Sequence, residues 1–338
     1  MKYLYLLLML AFINGCASRP TSPALGEEYA DLMDSAPSEV LMGMVPKSYK
    51  KAIKRGDDAL VAGELDKALF MYLQSLGQEG DAVYPLFQVG LIHQQRDNRD
   101  LSILAYTKVL ELDDLHYLAH ENLGILYLKN RRYELSAQEL SRAIEVYDEL
   151  RDLAAKAAAN SVKNNGRQEP VRDTSIAPVR SFNGLGVIYD LQENFEQAQV
   201  YYRKIISLQR YSESAYNNLG YSYYLSGDWS NAEKSYREAI KINDKFVQAW
   251  NNLGLVLARQ AKFKQSVLAF SHGMDKARAY NDVGYLAMVD GRHEQAEMLL
   301  SEAIRLFPRF YETAQKNYDD NQAQWADVRE ASANKPIE

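Results

Sequence analysis

Tyr216-Asn217-Asn218-Leu219-Gly220-Tyr221-Ser222-Tyr223, continued by Gly227-Asp228-Trp229, Ala232, Tyr236 and Ala239, is the stretch that decides the fold. Thirty-four residues later Trp250-Asn251-Asn252-Leu253-Gly254 opens the same pattern, followed by Phe263, Phe270 and Gly273. Upstream, Phe182-Asn183-Gly184-Leu185-Gly186 leads into Tyr189, Phe195, Ala198 and Tyr202. Self-similarity at such a period dictates architecture before any motif does, because each copy is a unit that buries its apolar face only against its neighbours. Seven copies are visible, beginning near Tyr49, Val83, Tyr117, Val179, Glu213, Val247 and Ala277. All place glycine at one register: Gly56, Gly90, Gly124, Gly186, Gly220, Gly254 and Gly284.

The order of aromatic, Leu-Gly, Tyr, a glycine turn, aromatic, Ala, aromatic and Ala resembles the tetratricopeptide repeat (TPR) family over residues 49 to 310. The resemblance implies an all-α fold, a right-handed superhelical solenoid of about seven helix pairs with a C-terminal capping helix. A glycine inside a helix costs about 1 kcal/mol relative to alanine, so its recurrence needs a packing reason. In this family the reason is close approach of helix A to a small residue of helix B, here Ala68, Ser102, Ser136, Ala198, Ala232, Ser266 and Ala296. Repeats 1–3 are then expected at 49–150 and repeats 4–7 at 179–310, with a capping helix at 311–330 and a disordered tail at 331–338. The sixth copy is about four residues short, since Lys276 runs almost directly into the next helix at Ala277. Between the third and fourth copies lies an insertion, 151–178. Its alanine-rich start should prolong helix B, and Asn164-Asn165-Gly166, Pro170 and Pro178 mark a loop. Such insertions map to loops on one face, either a working face or a tolerated excursion.

At the N-terminus, Lys2, an apolar run from Tyr3 to Ile13 and small or polar residues before Cys16 follow the order of a secretory signal, assigned to 1–15. About 11 apolar residues reach only ~16 Å as a helix, against a hydrocarbon core of ~30 Å. Ile13-Asn14-Gly15-Cys16 resembles the lipobox of bacterial lipoproteins, which implies cleavage before Cys16 and its acylation. The other reading is an ordinary signal followed by an incidental thiol. Cys16 is the only cysteine, so no intramolecular disulfide can form. Ala17 after it, in the enterobacterial sorting pattern, implies the outer membrane. Residues 16–48, with Pro20, Pro23, Pro37 and Pro46, are expected to be a flexible tether.

A formal charge of −6 without a Lys/Arg cluster disfavours nucleic acid. No phosphate loop, nucleophile elbow or Cys-x-x-Cys pair is present, so neither a cofactor nor an enzymatic activity is expected. His116 and His120 have the spacing of two metal ligands, but they fall on an inter-repeat turn and a packing position, and no metal site is expected.

Partner binding is assigned to the concave face. Asn122, Asn183, Asn217, Asn218, Asn251, Asn252 and Asn281 form a row there, and an amide presents donor and acceptor together, suited to the main chain of an extended peptide. Asn before Leu-Gly is also frequent in the family, so the row has a second reading as framework. One turn on, Leu91, Ile125, Val187, Tyr221, Leu255 and Tyr285, extended by Tyr224 and Met288, make an apolar stripe. The layout resembles outer-membrane TPR lipoproteins of the TadD and pilotin type. That implies an anchored, periplasm-facing scaffold that assists assembly or localisation of a pilus or secretion machine; adaptors for periplasmic proteases or peptidoglycan hydrolases, and exopolysaccharide-export scaffolds, share it.

Overall fold

A computed structural model describes residues 29–35, 47–163, 176–307 and 309–333. All regular structure among them is helical, in 16 helices. A short helix α1 (Ala30–Met33) precedes seven antiparallel pairs. They are α2 (Tyr49–Val61) with α3 (Leu65–Leu76), α4 (Val83–Gln95) with α5 (Arg99–Leu112), and α6 (Tyr117–Lys129) with α7 (Tyr133–Lys163). Next come α8 (Val179–Leu191) with α9 (Phe195–Leu208), α10 (Glu213–Leu225) with α11 (Trp229–Ile242), and α12 (Val247–Arg259) with α13 (Phe263–Phe270). The last pair is α14 (Lys276–Val289) with α15 (His293–Leu306), and α16 (Glu312–Ala333) packs on α15. This is the helix-pair repeat that the period implies.

The seven glycines have one packing reason, and it involves a second residue besides the small one. A Cβ on Gly56, Gly90, Gly186 or Gly220 would stand 2.6 to 2.7 Å from the ring of Tyr72, Tyr106, Tyr202 or Tyr236, sixteen residues on. Phe270 covers Gly254 in the same way, and Leu140 and Leu300 cover Gly124 and Gly284. The small residues meet the glycine backbone instead: Ser102, Ser136 and Ser266 donate to the carbonyls of Gly90, Gly124 and Gly254 at 2.7 to 2.9 Å. Contact this close leaves no room for one more methyl.

Each turn between helices A and B carries a residue with φ near +60 to +80°, seven residues past that glycine. Gly63, Gly227 and Gly291 hold it in three repeats, but Asp97, Arg131, Glu193 and Ala261 hold it in the others. A left-handed conformation costs a side-chain-bearing residue roughly 1–2 kcal/mol, so packing of the two helices overrides local preference there.

The chain divides into two compact units, up to Asp113 and from Asp114 onward. In the first, Leu69, Met71, Tyr72, Leu73, Leu86, Val89, Ile92 and Tyr106 are buried. Helix α1 packs on α5, burying Tyr29 and Leu32, and the Ser35 hydroxyl lies 3.1 Å from Nε2 of His93. Residues 29–35 therefore depart from the expected tether: two apolar side chains find a ready-made surface and fix the segment. The rest of that tether that falls in 36–46, and Cys16 with the signal segment, lie outside the described residues.

In the second unit the A helices of consecutive pairs touch in series, α6 with α8, α8 with α10, α10 with α12, and α12 with α14. Helix α7 runs to Lys163, past the point where an ordinary helix B ends. Beyond the insertion, repeat 4 resumes packing directly on repeat 3. Glu121, buried in α6, accepts from the backbone N–H and the hydroxyl of Ser181, both at 3.0 Å, and Tyr117 donates to the Ile176 carbonyl. Helix α13 has only eight residues, and α14 starts one residue before the expected Ala277, capped by Asp275, which accepts from Arg278 N–H at 3.0 Å.

Candidate functional site

The asparagine row is built into the second unit as a ladder between repeats. Asn218 Nδ2 donates to Asn183 Oδ1 at 2.7 Å, and one repeat later Asn252 Nδ2 donates to Asn217 Oδ1 at 2.9 Å. In each rung the second amide of an Asn-Asn pair reaches back to the first amide of the preceding copy. Asn217 also donates to Asn218 at 3.3 Å, and Asn317 of α16 donates to Asn281 Oδ1 at 2.9 Å. The ladder breaks between repeats 6 and 7. There Asp282 occupies the donor position, a carboxylate cannot donate, and Asn251 Oδ1 is left buried without a hydrogen-bond partner.

Asn122, Asn217 and Asn281 are only 2 to 4% exposed. The expectation of amides presented to a partner is therefore corrected for these three: their oxygens accept from Arg180, Asn252 and Asn317. An alignment of helices brings the amides within reach of one another, and burial makes such a bond obligatory.

The apolar stripe divides. Ile125 is half-buried against Leu140, Leu185 and Ile188, and Met288 is buried with Ala287, Ala296 and Leu300. Tyr224 packs on the cluster around Tyr236 and Leu253, and its hydroxyl lies 3.5 Å from Arg259 Nε. Leu91, in the first unit, is half-buried. Tyr221 and Tyr285 are the open members, 45 and 46% exposed.

Two cavities gather several of the candidates. One, of about 590 Å³, brings Val187, Asn218 and Tyr221 together with Asp190, Leu191, Glu193, Phe195, Tyr202 and Leu225. The other, of about 420 Å³, joins Leu255, Asn281 and Tyr285 to Phe270, Asp282, Leu286, Thr313 and Asn317. Each has apolar walls and at least one carboxylate, and none of the described residues lining either is basic. Asp190 accepts from the Tyr202 hydroxyl at 2.9 Å, while its Oδ1 is buried without a hydrogen-bond partner. The Ser222 hydroxyl, near enough to act on the carboxyl, donates to the Phe195 carbonyl at 3.4 Å. Burial raises the Asp190 pKa, against the opposing influence of the Ser222 and Tyr202 hydroxyls. Burial likewise raises that of Asp282, which accepts from Asn281 Nδ2 at 3.1 Å.

Asp190, Asp282, Leu225 and Asn317 are cavity residues that sequence reasoning missed. The signal for Asp190 was a column of the repeat: four residues after the shared glycine stand Leu60, Gln94, Leu128, Asp190, Tyr224, Ala258 and Met288. Only one is charged.

Neither histidine of the 116/120 pair is arranged as a ligand. His116 Nδ1 caps α6 by accepting from Ala119 N–H at 3.1 Å, and His120 bonds Glu139 at 2.6 Å and the Asp114 carbonyl at 3.1 Å. Among the described residues no group of three His, Cys, Asp or Glu side chains could hold a metal ion. No described helix is long and apolar enough to cross a membrane.

Comparison with known proteins agrees with this geometry at the level of the repeat. Patterns described as TPR repeat or tetratricopeptide repeat match residues 87–158, 179–211 and 220–260. The photosystem I assembly protein Ycf3 of Acaryochloris marina is 31% identical over 147 residues, covering 40% of this chain and 88% of that protein. Two solved structures share the fold. The C-terminal part of a TPR repeat-containing protein from Cytophaga hutchinsonii superposes with a TM-score of 0.55 at 13% identity, over 78% of this chain and 98% of that one. A tetratricopeptide repeat protein from Parabacteroides merdae gives 0.52 at 14%, over 82% and 100%.

Proposed function

The chain belongs to the tetratricopeptide repeat family, and from that premise we propose that it is a non-enzymatic scaffold whose A-helix groove holds an extended segment of an envelope protein. The observation that carries the reading is the pair of open cavities in the second unit, each walled by apolar side chains and each containing one half-exposed tyrosine, Tyr221 or Tyr285. Exposed aromatic anchors beside a few fixed polar groups are the usual composition of a protein-binding surface. The asparagine ladder contributes by holding successive A helices in register, so the groove is formed before a partner arrives.

The finer assignment is an outer-membrane lipoprotein, anchored through Cys16 and facing the periplasm, that assists assembly or localisation of a pilus or secretion machine. Its support is the lipobox-like Ile13-Asn14-Gly15-Cys16 with Ala17. The assembly role of the 31%-identical relative favours an assembly scaffold over a protease adaptor or export component. Multiple acyl chains exceed what stable anchoring needs. Cys16→Ser should move the protein from sedimented outer membrane to the soluble periplasmic fraction; a variant that still sediments with outer membrane refutes the anchor. Capture from solubilised envelopes, with wild type against Tyr221→Ser/Tyr285→Ser, tests the groove.

A further inference from the structure

Asp190 puts a carboxyl group where the fold does not require one. In repeat 2 the equivalent residue is Gln94, and its Oε1 accepts from Tyr106 at 2.9 Å as Asp190 accepts from Tyr202. A neutral amide thus satisfies the same buried tyrosine, and five further repeats fill the position with uncharged residues. What Asp190 adds is a carboxyl group 9% exposed, with Oδ1 buried and without a hydrogen-bond partner, among the residues that line a 590 Å³ cavity. Leaving a buried carboxylate oxygen unbonded is costly, and the cost is recovered when a donor arrives. Glu193, exposed at the left-handed turn, adds a second carboxylate to the lining, and none of the described lining residues supplies a counter-charge.

Val187, Leu191, Tyr221 and Leu225 line the same cavity as Asp190. Apolar side chains beside a carboxyl group suit a side chain with an alkyl stem and a cationic end. We propose that this cavity receives a lysine or arginine side chain of the bound segment, with Asp190 accepting from its charged end. This names partner chemistry for the groove reading and rests on it.

The test uses the full chain and two defined probes, Nα-acetyl-lysine methylamide and its norleucine counterpart, followed by methyl NMR. The lysine probe should shift the methyls of Val187, Leu191 and Leu225. The norleucine probe should bind at least about tenfold more weakly, the weight of one charge-assisted hydrogen bond. Asp190→Asn keeps an oxygen for Tyr202, as Gln94 does for Tyr106, and should weaken the lysine probe by the same factor. No shift of those methyls, equal binding of the two probes, or equal lysine binding by Asp190→Asn overturns the inference. If it falls while capture of an envelope partner still depends on Tyr221 and Tyr285, the groove reading stands; loss of that dependence as well removes both.

Discussion

At the scale of the residue, the repeat is held by contacts that tolerate almost no change. Gly220 shows the sign of the effect most clearly, since local propensity and packing point in opposite directions. Alanine would favour the helix by about 1 kcal/mol. Its Cβ, however, would sit 2.7 Å from the Tyr236 ring, which is 1% exposed and has nowhere to retreat. Overpacking costs typically 1–3 kcal/mol, so Gly220→Ala should lower the urea midpoint; an unchanged or raised midpoint contradicts the packing account. The broken rung of the ladder gives a change of opposite sign. Asp282→Asn restores the donor that Asn251 Oδ1 lacks and removes a carboxylate whose charged form burial disfavours. It should stabilise by about 1 kcal/mol, the net worth of a buried hydrogen bond, in chemical denaturation; a loss of stability would show that the short sixth repeat keeps the two side chains apart. The period and the glycine register were legible in the sequence because they repeat. The ladder was not, because seeing it requires knowing that the second amide of one copy faces the first amide of the copy before.

At the scale of the element, helix α1 is the feature that sequence reasoning passed over. Pro20, Pro23, Pro37 and Pro46 around it read as a linker, and a four-residue helix has no periodicity of its own to reveal. Burial of Tyr29 and Leu32 on the first unit decides its structure. That docking has a titratable reporter. His93 is buried, its Nδ1 has no partner, and burial, aided by nearby Arg96, lowers its pKa from 6.5 to about 4. Between those values the unfolded chain takes up a proton that the folded chain refuses. Stability is therefore lost as pH falls from 6.5 toward 4, and the loss levels off below the folded value. His93→Gln should make the denaturation midpoint less sensitive between pH 7 and pH 4.5, by a difference measurable in paired urea titrations; identical pH sensitivity in the two proteins would remove His93 as the cause. The turns between helices A and B teach the same lesson in reverse. Gly227 announces its left-handed turn, whereas Ala261 and Glu193 adopt it because the helices they join are already packed.

At the scale of the whole molecule, the candidate groove is made by stacking and not by any single motif. Tyr221 and Asp190 belong to different helix pairs, yet they line one cavity because α8 and α10 lie side by side. The apolar half of that cavity was readable from residues at one register. Its buried carboxyl was not, since a lone Asp in one of seven copies reads as a solvated charge until its burial is known. The central proposal is that Tyr221 and Tyr285 anchor a protein segment in this groove while contributing little to the fold. The most direct measurement is isothermal titration of the captured envelope partner against wild type and Tyr221→Ser/Tyr285→Ser, with helical content followed by circular dichroism. Loss of two aromatic anchors at about 1–2 kcal/mol each should weaken affinity at least about tenfold with helical content preserved; equal affinity in the two proteins would contradict the account and place the partner on another surface.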